Sequence, residues 1–254
     1  MDISIALIGL AVGFLVGLTG VGGAALLTPI LILIGIPPTL AVGTDLFYNS
    51  ITKLFGTFQH WRQKTVNWKL VGYLAAGSIP GAAAAVGLLK LFEVFLHSQE
   101  HLIRTALGIM LVVVAASILV RQFVLKGAAE NKWQKKTIEE KRWMTIGIGV
   151  VLGFVVGLTS IGSGSLFAIA LIFLFRLSSS EVVGTDIAHA FFLVSVAGLL
   201  HAGLGNVNYG LAFNLLAGSI PGVLAGSGLS AKIPSRPLRA VMAALILISG
   251  IKLI

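Results

Sequence analysis

The sequence contains an internal duplication, and this feature constrains the fold more than any other. Residues 13–88 reappear in altered form as residues 153–229, at a nearly constant offset. The tetrapeptide Val-Gly-Thr-Asp at 42–45 returns at 183–186, and the pentapeptide Gly-Ser-Ile-Pro-Gly also occurs once in each copy. A fixed offset of this kind indicates two copies of one structural unit within a single chain.

The composition places this duplication in a membrane protein. The chain is 57% hydrophobic and 11% charged, with a mean hydropathy of +1.00, whereas a soluble domain needs far more polar surface. Apolar segments recur along the whole length, so we expect a polytopic membrane protein. The net charge of +9 does not indicate nucleic-acid binding, because most Lys and Arg residues lie in short connections between apolar segments. Duplication in such a chain is typical of secondary transporters.

Each copy is expected to contain about five helical segments, so the predicted fold is all-α. In the first copy the segments cover residues 3–18, 24–36, 41–60, 69–89 and 102–121. In the second copy they cover residues 143–158, 164–177, 181–202, 208–230 and 236–254. The predicted organisation is a first transmembrane repeat at 1–121, a charged linker at 122–142 and a second transmembrane repeat at 143–254.

The second segment of each copy is short. A helix needs about 20 residues to span a bilayer, and segments 24–36 and 164–177 fall below that length. We interpret the first two segments of each copy as a re-entrant helical hairpin, or as broken helices, that return to the same side of the membrane. The two repeats would then have inverted topology. The alternative joins these segments into one spanning helix and makes the repeats parallel.

The distribution of basic residues favours the inverted arrangement. In that arrangement most Lys and Arg residues lie on one side of the membrane, whereas the parallel arrangement divides them more evenly. Basic residues concentrate in cytoplasmic loops. We therefore expect a multi-pass protein of the cytoplasmic membrane, with the 122–142 linker in the cytoplasm and both termini outside.

A glycine-rich break separates the first two segments of each copy. Non-helical backbone at membrane depth is tolerated only where protein or a water-filled cavity covers it. The helix that restarts after each break has unpaired N–H groups and a positive dipole end, so we expect an anion site. The alternative is a pair of tight interfacial turns without a ligand. The candidate substrate-binding residues are Thr19, Gly20, Gly22, Gly23, Thr159, Ser160, Gly162, Ser163 and Gly164.

The repeated Val-Gly-Thr-Asp motif places a carboxylate near the start of the third segment in each copy. Asp45 and Asp186 either complement the positive end of their helix or couple transport to a proton or a sodium ion. The neighbouring Thr44 and Thr185 are candidates to donate hydrogen bonds to a substrate.

Lys53 makes the two copies chemically unequal. It lies mid-segment on the same helix face as Asp45 and Asn49, and its counterpart in the second copy is Val194. A lysine at membrane depth must pair, lose its proton or face water. Lys53 therefore either pairs with Asp45 or Asp186, or balances the charge of an anionic substrate.

His189 is a second difference between the copies. It follows Asp186 by three positions, so the two side chains share a helix face, and it replaces Tyr48 of the first copy. Because histidine titrates near neutral pH, Thr185, Asp186 and His189 would suit a proton relay. The alternative is a hydrogen-bonded histidine that only packs.

The motifs also resemble a known family. Thr-Gly-Val-Gly-Gly at 19–23 precedes a helix with Pro29 and then Ala-Val-Gly-Thr at 41–44, and the pattern recurs in the second copy. This pattern is similar to the sulfite exporter TauE/SafE family of membrane transporters over nearly the whole chain. The resemblance implies transport of small sulfur-containing anions, such as sulfite and organosulfonates, across a bacterial cytoplasmic membrane. Carried over by motif, it implicates Gly20, Gly22, Gly23, Gly43, Thr44, Gly162, Gly164, Gly184 and Thr185.

The sequence thus predicts a secondary transporter of small anions that works by alternating access between two inverted repeats. Its candidate ion-coupling residues are Asp45, Lys53, Asp186 and His189. An anion channel on the same scaffold and a transporter of a non-sulfur small carboxylate are the alternatives. An enzyme is disfavoured because the chain has no cysteine and no His-rich ligand set, and we expect no cofactor and no metal. The partners expected are the substrate, the coupling ion and the lipid bilayer, and the glycine faces would permit a homodimer.

Overall fold

The computed structural model describes residues 2–19, 23–96, 99–123, 133–230 and 235–254. Within these ranges the chain forms helices and no β-strand, so the all-α prediction is confirmed. Gly20, Gly22 and residues 124–132 of the predicted linker lie outside the described ranges. The helices are α1 (Ile3–Thr19), α2 (Ala24–Leu33), α3 (Pro38–Arg62), α4 (Trp68–Leu96), α5 (Gln99–Phe123), α6 (Arg142–Thr159), α7 (Leu166–Leu174), α8 (Ser179–Gly203), α9 (Tyr209–Ser230) and α10 (Ser235–Leu253).

The helix ends follow local chain chemistry. α2 stops before the predicted end at residue 36, since Gly35 takes a left-handed φ of 93° and Pro37 immediately precedes α3. α8 begins with a capping box, in which the Ser178 hydroxyl accepts from the Glu181 N–H and the Glu181 carboxylate accepts from the Ser178 N–H. α7 is also shorter than predicted. With ten and nine residues, α2 and α7 are about 15 Å and 14 Å long, too short to cross an apolar layer of about 30 Å.

The outer surface is suited to lipid. Four of the described helices, α4, α6, α8 and α9, contain stretches long and apolar enough to cross a membrane. Large apolar side chains such as Leu7, Phe55, Leu199 and Leu224 are more than half exposed. Apolar surface on this scale marks contact with membrane or with another protein. The chain is therefore a polytopic membrane protein.

α6 and α7 form a hairpin whose two ends meet on the same side. Lys141, just before α6, donates from Nζ to the Leu174 carbonyl at the end of α7, 2.7 Å away, and to the Trp133 carbonyl at 3.0 Å. Gln134 donates from Nε2 to the Ile172 carbonyl at 3.0 Å. These bonds satisfy carbonyls that a helix end leaves without intrahelical partners. The contacts favour the predicted return of this segment pair to the side it entered from.

The first helix of each repeat packs on the fourth helix of the other repeat. α1 runs parallel to α9, and α6 runs parallel to α4. Glycines allow both contacts: a Cβ on Gly13 would lie 2.8 Å from the Ser219 Cα, and one on Gly157 would lie 2.8 Å from the Ala82 Cα. Small residues of this kind let helix backbones approach closely in membranes. The two halves of the sequence are therefore interlocked in space.

α3 and α8, the third helices of the two repeats, cross at the centre in opposite directions. Gly43 near the start of α3 lies against Asn206 and His201 at the end of α8. Gly184 near the start of α8 lies against Thr65, which follows α3. Equivalent helices related by a two-fold axis in the membrane plane would run in opposite directions. This antiparallel crossing favours the inverted-repeat interpretation. The orientation of the repeats relative to the membrane stays a prediction.

Candidate functional site

Asp45 is the centre of a buried polar cluster. Its carboxylate is 0% exposed and accepts hydrogen bonds from three side chains. Thr28 Oγ1 in α2 donates to Oδ2 at 2.8 Å, Asn49 Nδ2 one turn along α3 donates to Oδ1 at 2.8 Å, and Ser160 Oγ donates to Oδ2. An ionised carboxylate only accepts hydrogen bonds, so three donors suit its charged form.

Ser160 reaches Asp45 from an unusual backbone conformation. It is the residue after α6, with φ 62° in the left-handed region that glycine adopts more easily. Its counterpart in the first repeat is Gly20, which lies outside the described residues. A serine that occupies a glycine-type position and donates to a buried carboxylate from it points to a role for the hydroxyl.

Lys53 lies between the carboxylates of the two repeats. Its Nζ donates to the Ser163 carbonyl in the second break at 3.1 Å, and the ammonium interacts electrostatically with both Asp186 and Asp45. The Lys53 side chain is half-buried, whereas its counterpart Val194 is 0% exposed. The predicted pairing of Lys53 with an aspartate stays a prediction, which this electrostatic interaction with both carboxylates supports.

Both glycine-rich breaks approach this cluster. A Cβ placed on Gly23, at the end of the first break, would lie 3.8 Å from Asn49 Oδ1. Ser160 and Ser163 bring the second break to Asp45 and Lys53. The side chain of Thr19 is not described, and Gly20 and Gly22 lie outside the described residues. The breaks of the two repeats thus meet around a single face of α3.

The second break is held by its own backbone and hydroxyl groups. Thr159 Oγ1 donates to the Val155 carbonyl at 2.8 Å and accepts from the Ile161 N–H at 3.2 Å. Gly162 takes a φ of 104°, and Gly164 is half-buried beside the start of α7. The α7 N-terminus at Ser165 and the α2 N-terminus at Gly23 have no side-chain cap. Their N–H groups give both helix starts a partial positive charge.

The two Gly-Thr pairs hold loops of the opposite repeat. Thr44 Oγ1 accepts from the Asn208 N–H at 3.0 Å, and Thr185 Oγ1 accepts from the Asn67 N–H at 3.0 Å. Gly43 and Gly184, also in close backbone contact there, leave no room for a side chain. Each threonine hydroxyl therefore has a structural bond in addition to any contact with substrate. The O–H proton of each remains available as a donor.

His189 of α8 is buried and forms a hydrogen bond with α4. Its Nε2 is 2.8 Å from the Ser78 hydroxyl in α4, and its ring lies 4.3 Å from the Phe167 ring. In the first repeat the counterpart Tyr48 lies beside the hydroxyl of Ser219. Thr185 accepts a hydrogen bond from Asn67, and His189 bonds Ser78. The relay predicted for Thr185, Asp186 and His189 therefore stays a prediction.

Three members of the cluster were not among the predicted site residues: Thr28, Ser78 and Asn49, the last of which the sequence placed only on the helix face of Lys53 and Asp45. Thr28 lies in the short apolar helix α2, and Ser78 lies in the apolar helix α4. The available signal for Thr28 and Ser78 was a hydroxyl inside an otherwise apolar helix. Within the described ranges, no group of three or more His, Cys, Asp or Glu side chains is arranged to hold a metal ion.

Comparisons with known proteins assign the chain to a family. The family described as sulfite exporter TauE/SafE matches residues 5–253. The chain is 63% identical over 254 residues to the probable membrane transporter protein YjnA of Bacillus subtilis (strain 168), covering 100% of both chains. It is 28% identical over 247 residues to YdhB of the same organism, also named a probable membrane transporter protein, covering 95% of this chain and 96% of the relative.

No solved structure matches the chain significantly. The match to the family spans nearly the whole sequence and confirms the resemblance found in the motifs. The chain is a membrane transporter that belongs to the sulfite exporter TauE/SafE family.

Proposed function

We propose that this chain is a secondary transporter that moves a small sulfur-containing anion across the cytoplasmic membrane. Sulfite, an organosulfonate or a related oxyanion is the substrate, and the two inverted repeats provide access to each side in turn. The observation that carries the proposal is the meeting of both glycine-rich breaks around Asp45, Asn49 and Lys53. The name of the family supports the choice of substrate class.

The anion is bound by the ends of broken helices and by one lysine. The uncapped N-termini of α2 and α7 offer N–H groups and partial positive charge. Lys53 adds a full positive charge, and the hydroxyls of Ser160 and Ser163 lie in the same region. This combination suits a small oxyanion, which accepts several hydrogen bonds at once.

The charges around the site support coupling to a cation. Asp45 and Asp186 bring two negative charges to one Lys53 ammonium, so the ionised cluster has a net negative charge. A negative cluster repels an anionic substrate. Entry of the anion is therefore accompanied by protons on the carboxylates or by a sodium ion, with Asp45, Lys53, Asp186 and His189 as the coupling residues.

The proposed orientation places the end of α3, the start of α4 and the linker in the cytoplasm. Arg62 and Lys64 follow one another closely at that end, and Lys69 at the start of α4 pairs with Glu139 of the linker. Their concentration on one side agrees with the preference of basic residues for the cytoplasm. The N-terminus and C-terminus then lie outside.

Purified protein in liposomes tests this function. We expect uptake of one sulfur oxyanion, driven by its own concentration gradient or by an imposed proton or sodium gradient. We expect no uptake of chloride or acetate. Melting temperatures measured with each anion in turn, at matched ionic strength, identify the anion that binds. A ligand that binds only the folded state raises the melting temperature. Uptake of acetate alone would reject the sulfur assignment, and large single-channel currents would assign an anion channel.

A further inference from the structure

We propose that His60 and His201 are two latches that close opposite ends of the α3–α8 pair in alternation. This inference rests on the proposed transport cycle and names positioning residues for it. The two histidines occupy equivalent positions near the ends of α3 and α8. Because α3 and α8 run in opposite directions, His60 and His201 lie at opposite ends of the crossing.

The His201 latch is engaged. His201 is 0% exposed, and its Nε2 donates to the Gly157 carbonyl of α6 at 2.9 Å. Gly157 is in the last turn of α6, and the N–H of Ile161 that would continue the helical bond goes to the Thr159 hydroxyl instead. His201 thus takes up a carbonyl that the helix end leaves free, next to the second break.

The His60 latch is not engaged. The carbonyl equivalent to Gly157 is that of Gly17 in α1. Both residues belong to the described part of the chain, and no hydrogen bond joins His60 to Gly17 there. His60 is half-buried, and its Nδ1 lies 2.8 Å from the hydroxyl of Thr65, five residues further along.

The corresponding local contact is absent at the engaged end. Asn206 is the counterpart of Thr65, and it follows His201 by five residues. His201 Nδ1 and Asn206 Nδ2 are both buried without a hydrogen-bond partner. Because Nε2 donates to a carbonyl, Nδ1 of the neutral ring is an acceptor, which the Asn206 amide would satisfy. Contact of Nε2 with Gly157 is therefore accompanied by loss of the local bond, and the two unpaired buried atoms raise the free energy of the engaged state.

Helix packing is asymmetric in the same sense. Among the described residues, α8 packs on α4 more extensively than its counterpart α3 packs on α9. The His201 end therefore has a histidine contact to the first helix of its own repeat that the His60 end lacks, and the proposed orientation places the His60 end in the cytoplasm. In the reverse state, His60 donates to the Gly17 carbonyl and His201 bonds Asn206.

Hydrogen–deuterium exchange of the full-length protein in nanodiscs tests the latches without any substrate. His201→Ala should shift the ratio of the two states by roughly two- to tenfold, the value of one hydrogen bond. Exchange should rise in residues 198–208 and fall in residues 56–67. His101→Ala is the matched control, since His101 is an exposed histidine outside the crossing and should change neither segment.

Conservative variants distinguish a hydrogen bond that shifts the equilibrium between the two states from packing that protects only the local segment. His201→Gln keeps an N–H donor and should restore the wild-type pattern, whereas His201→Phe keeps the ring size without the donor and should not. Asn206→Leu removes the alternative partner and should lower exchange in residues 198–208. This variant also tests the proposal if His201→Ala fails to fold.

Two results would overturn the proposal. One is a rise in exchange confined to residues 198–208 in His201→Ala, with residues 56–67 unchanged, which would make His201 a local seal. The other is a wild-type pattern in His201→Phe. Exchange is measured without substrate, so this test is independent of the proposed function. A rise in residues 198–208 with a fall in residues 56–67, in a protein that moves no sulfur anion, would support the role of the two histidines and reject the proposed function.

Discussion

Ser160 of the second repeat donates a hydrogen bond to Asp45 of the first. The first repeat has Gly20 where the second has Ser160, so it has no equivalent hydroxyl to donate to Asp186. The other donors to Asp45 are also replaced: Thr28 corresponds to Ala168 and Asn49 to Ala190. The three side chains that donate to Asp45 therefore have no hydrogen-bonding counterpart in the other repeat, while Lys53 interacts with both aspartates.

Ser160→Gly should impair transport more than folding. Glycine relieves a left-handed backbone that costs a serine about 1 kcal/mol, which offsets part of the lost hydrogen bond. Transport should fall about tenfold, because a bond to a charged group contributes about 1.5–3 kcal/mol. Melting temperature and liposome uptake measure the two effects. Ser165→Gly, which removes no cap bond in the same break, should have a smaller effect, and an equal loss would contradict the role of Ser160.

Lys53→Met should leave Asp45 and Asp186 without their shared cation. We expect a loss of about 1–3 kcal/mol in the free energy of unfolding, less than for a fully buried pair because Lys53 is only partly buried. Adding Asp186→Asn should recover part of that loss, and Lys90→Met on the exposed face of α4 should have no effect. Strictly additive effects in the double variant would show that Lys53 and Asp186 are not coupled.

Thr44→Val should lower the melting temperature, since it removes the acceptor of the Asn208 N–H. An unsatisfied N–H costs about 1–3 kcal/mol, and a protein of this size loses about 2–4 °C per kcal/mol. Thr44→Ser keeps the hydroxyl and should melt close to the wild type. An unchanged melting temperature in Thr44→Val would show that the bond to Asn208 does not stabilise the fold.

Gly184→Ala should destabilise the protein, because the added Cβ would lie 2.6 Å from the Thr65 carbonyl oxygen. The backbone of the loop after α3 would have to move, at a cost of about 1–3 kcal/mol. Gly72→Ala is the matched control, since nothing lies within 4 Å of its added Cβ. Alanine there favours the helix by up to about 1 kcal/mol. Thermal unfolding compares the two, and equal melting temperatures would reject the close contact at Gly184.

Helices were predictable from the sequence because apolar length and local signals determine them. The capping box at Ser178 and the turn at Gly35 are examples of such signals. Which helices pair was not predictable. The glycines spaced by four in α1 and in α9 make both helices suitable for close packing, but spacing does not identify the partner.

The site was predictable to a similar extent. Residue type and position singled out Asp45, Lys53 and the breaks, which the structure brings together. Thr28 and Ser78 were missed, because their approach to Asp45 and His189 depends on how separate helices pack. Donation from Thr44 and Thr185 to a substrate stays a prediction, and the bonds that their hydroxyls accept from loops of the opposite repeat were not predictable.

The pairing of α1 with α9 affects how the protein is made. α1 leaves the ribosome roughly 200 residues ahead of α9, which at about 5–20 residues per second is a delay on the order of 10–40 s. During that interval the glycine face formed by Gly9, Gly13 and Gly17 has no helix partner from its own chain. Lipid or the insertion machinery must cover that face until synthesis is nearly complete, so truncated chains that end before α9 should be substrates for membrane quality control.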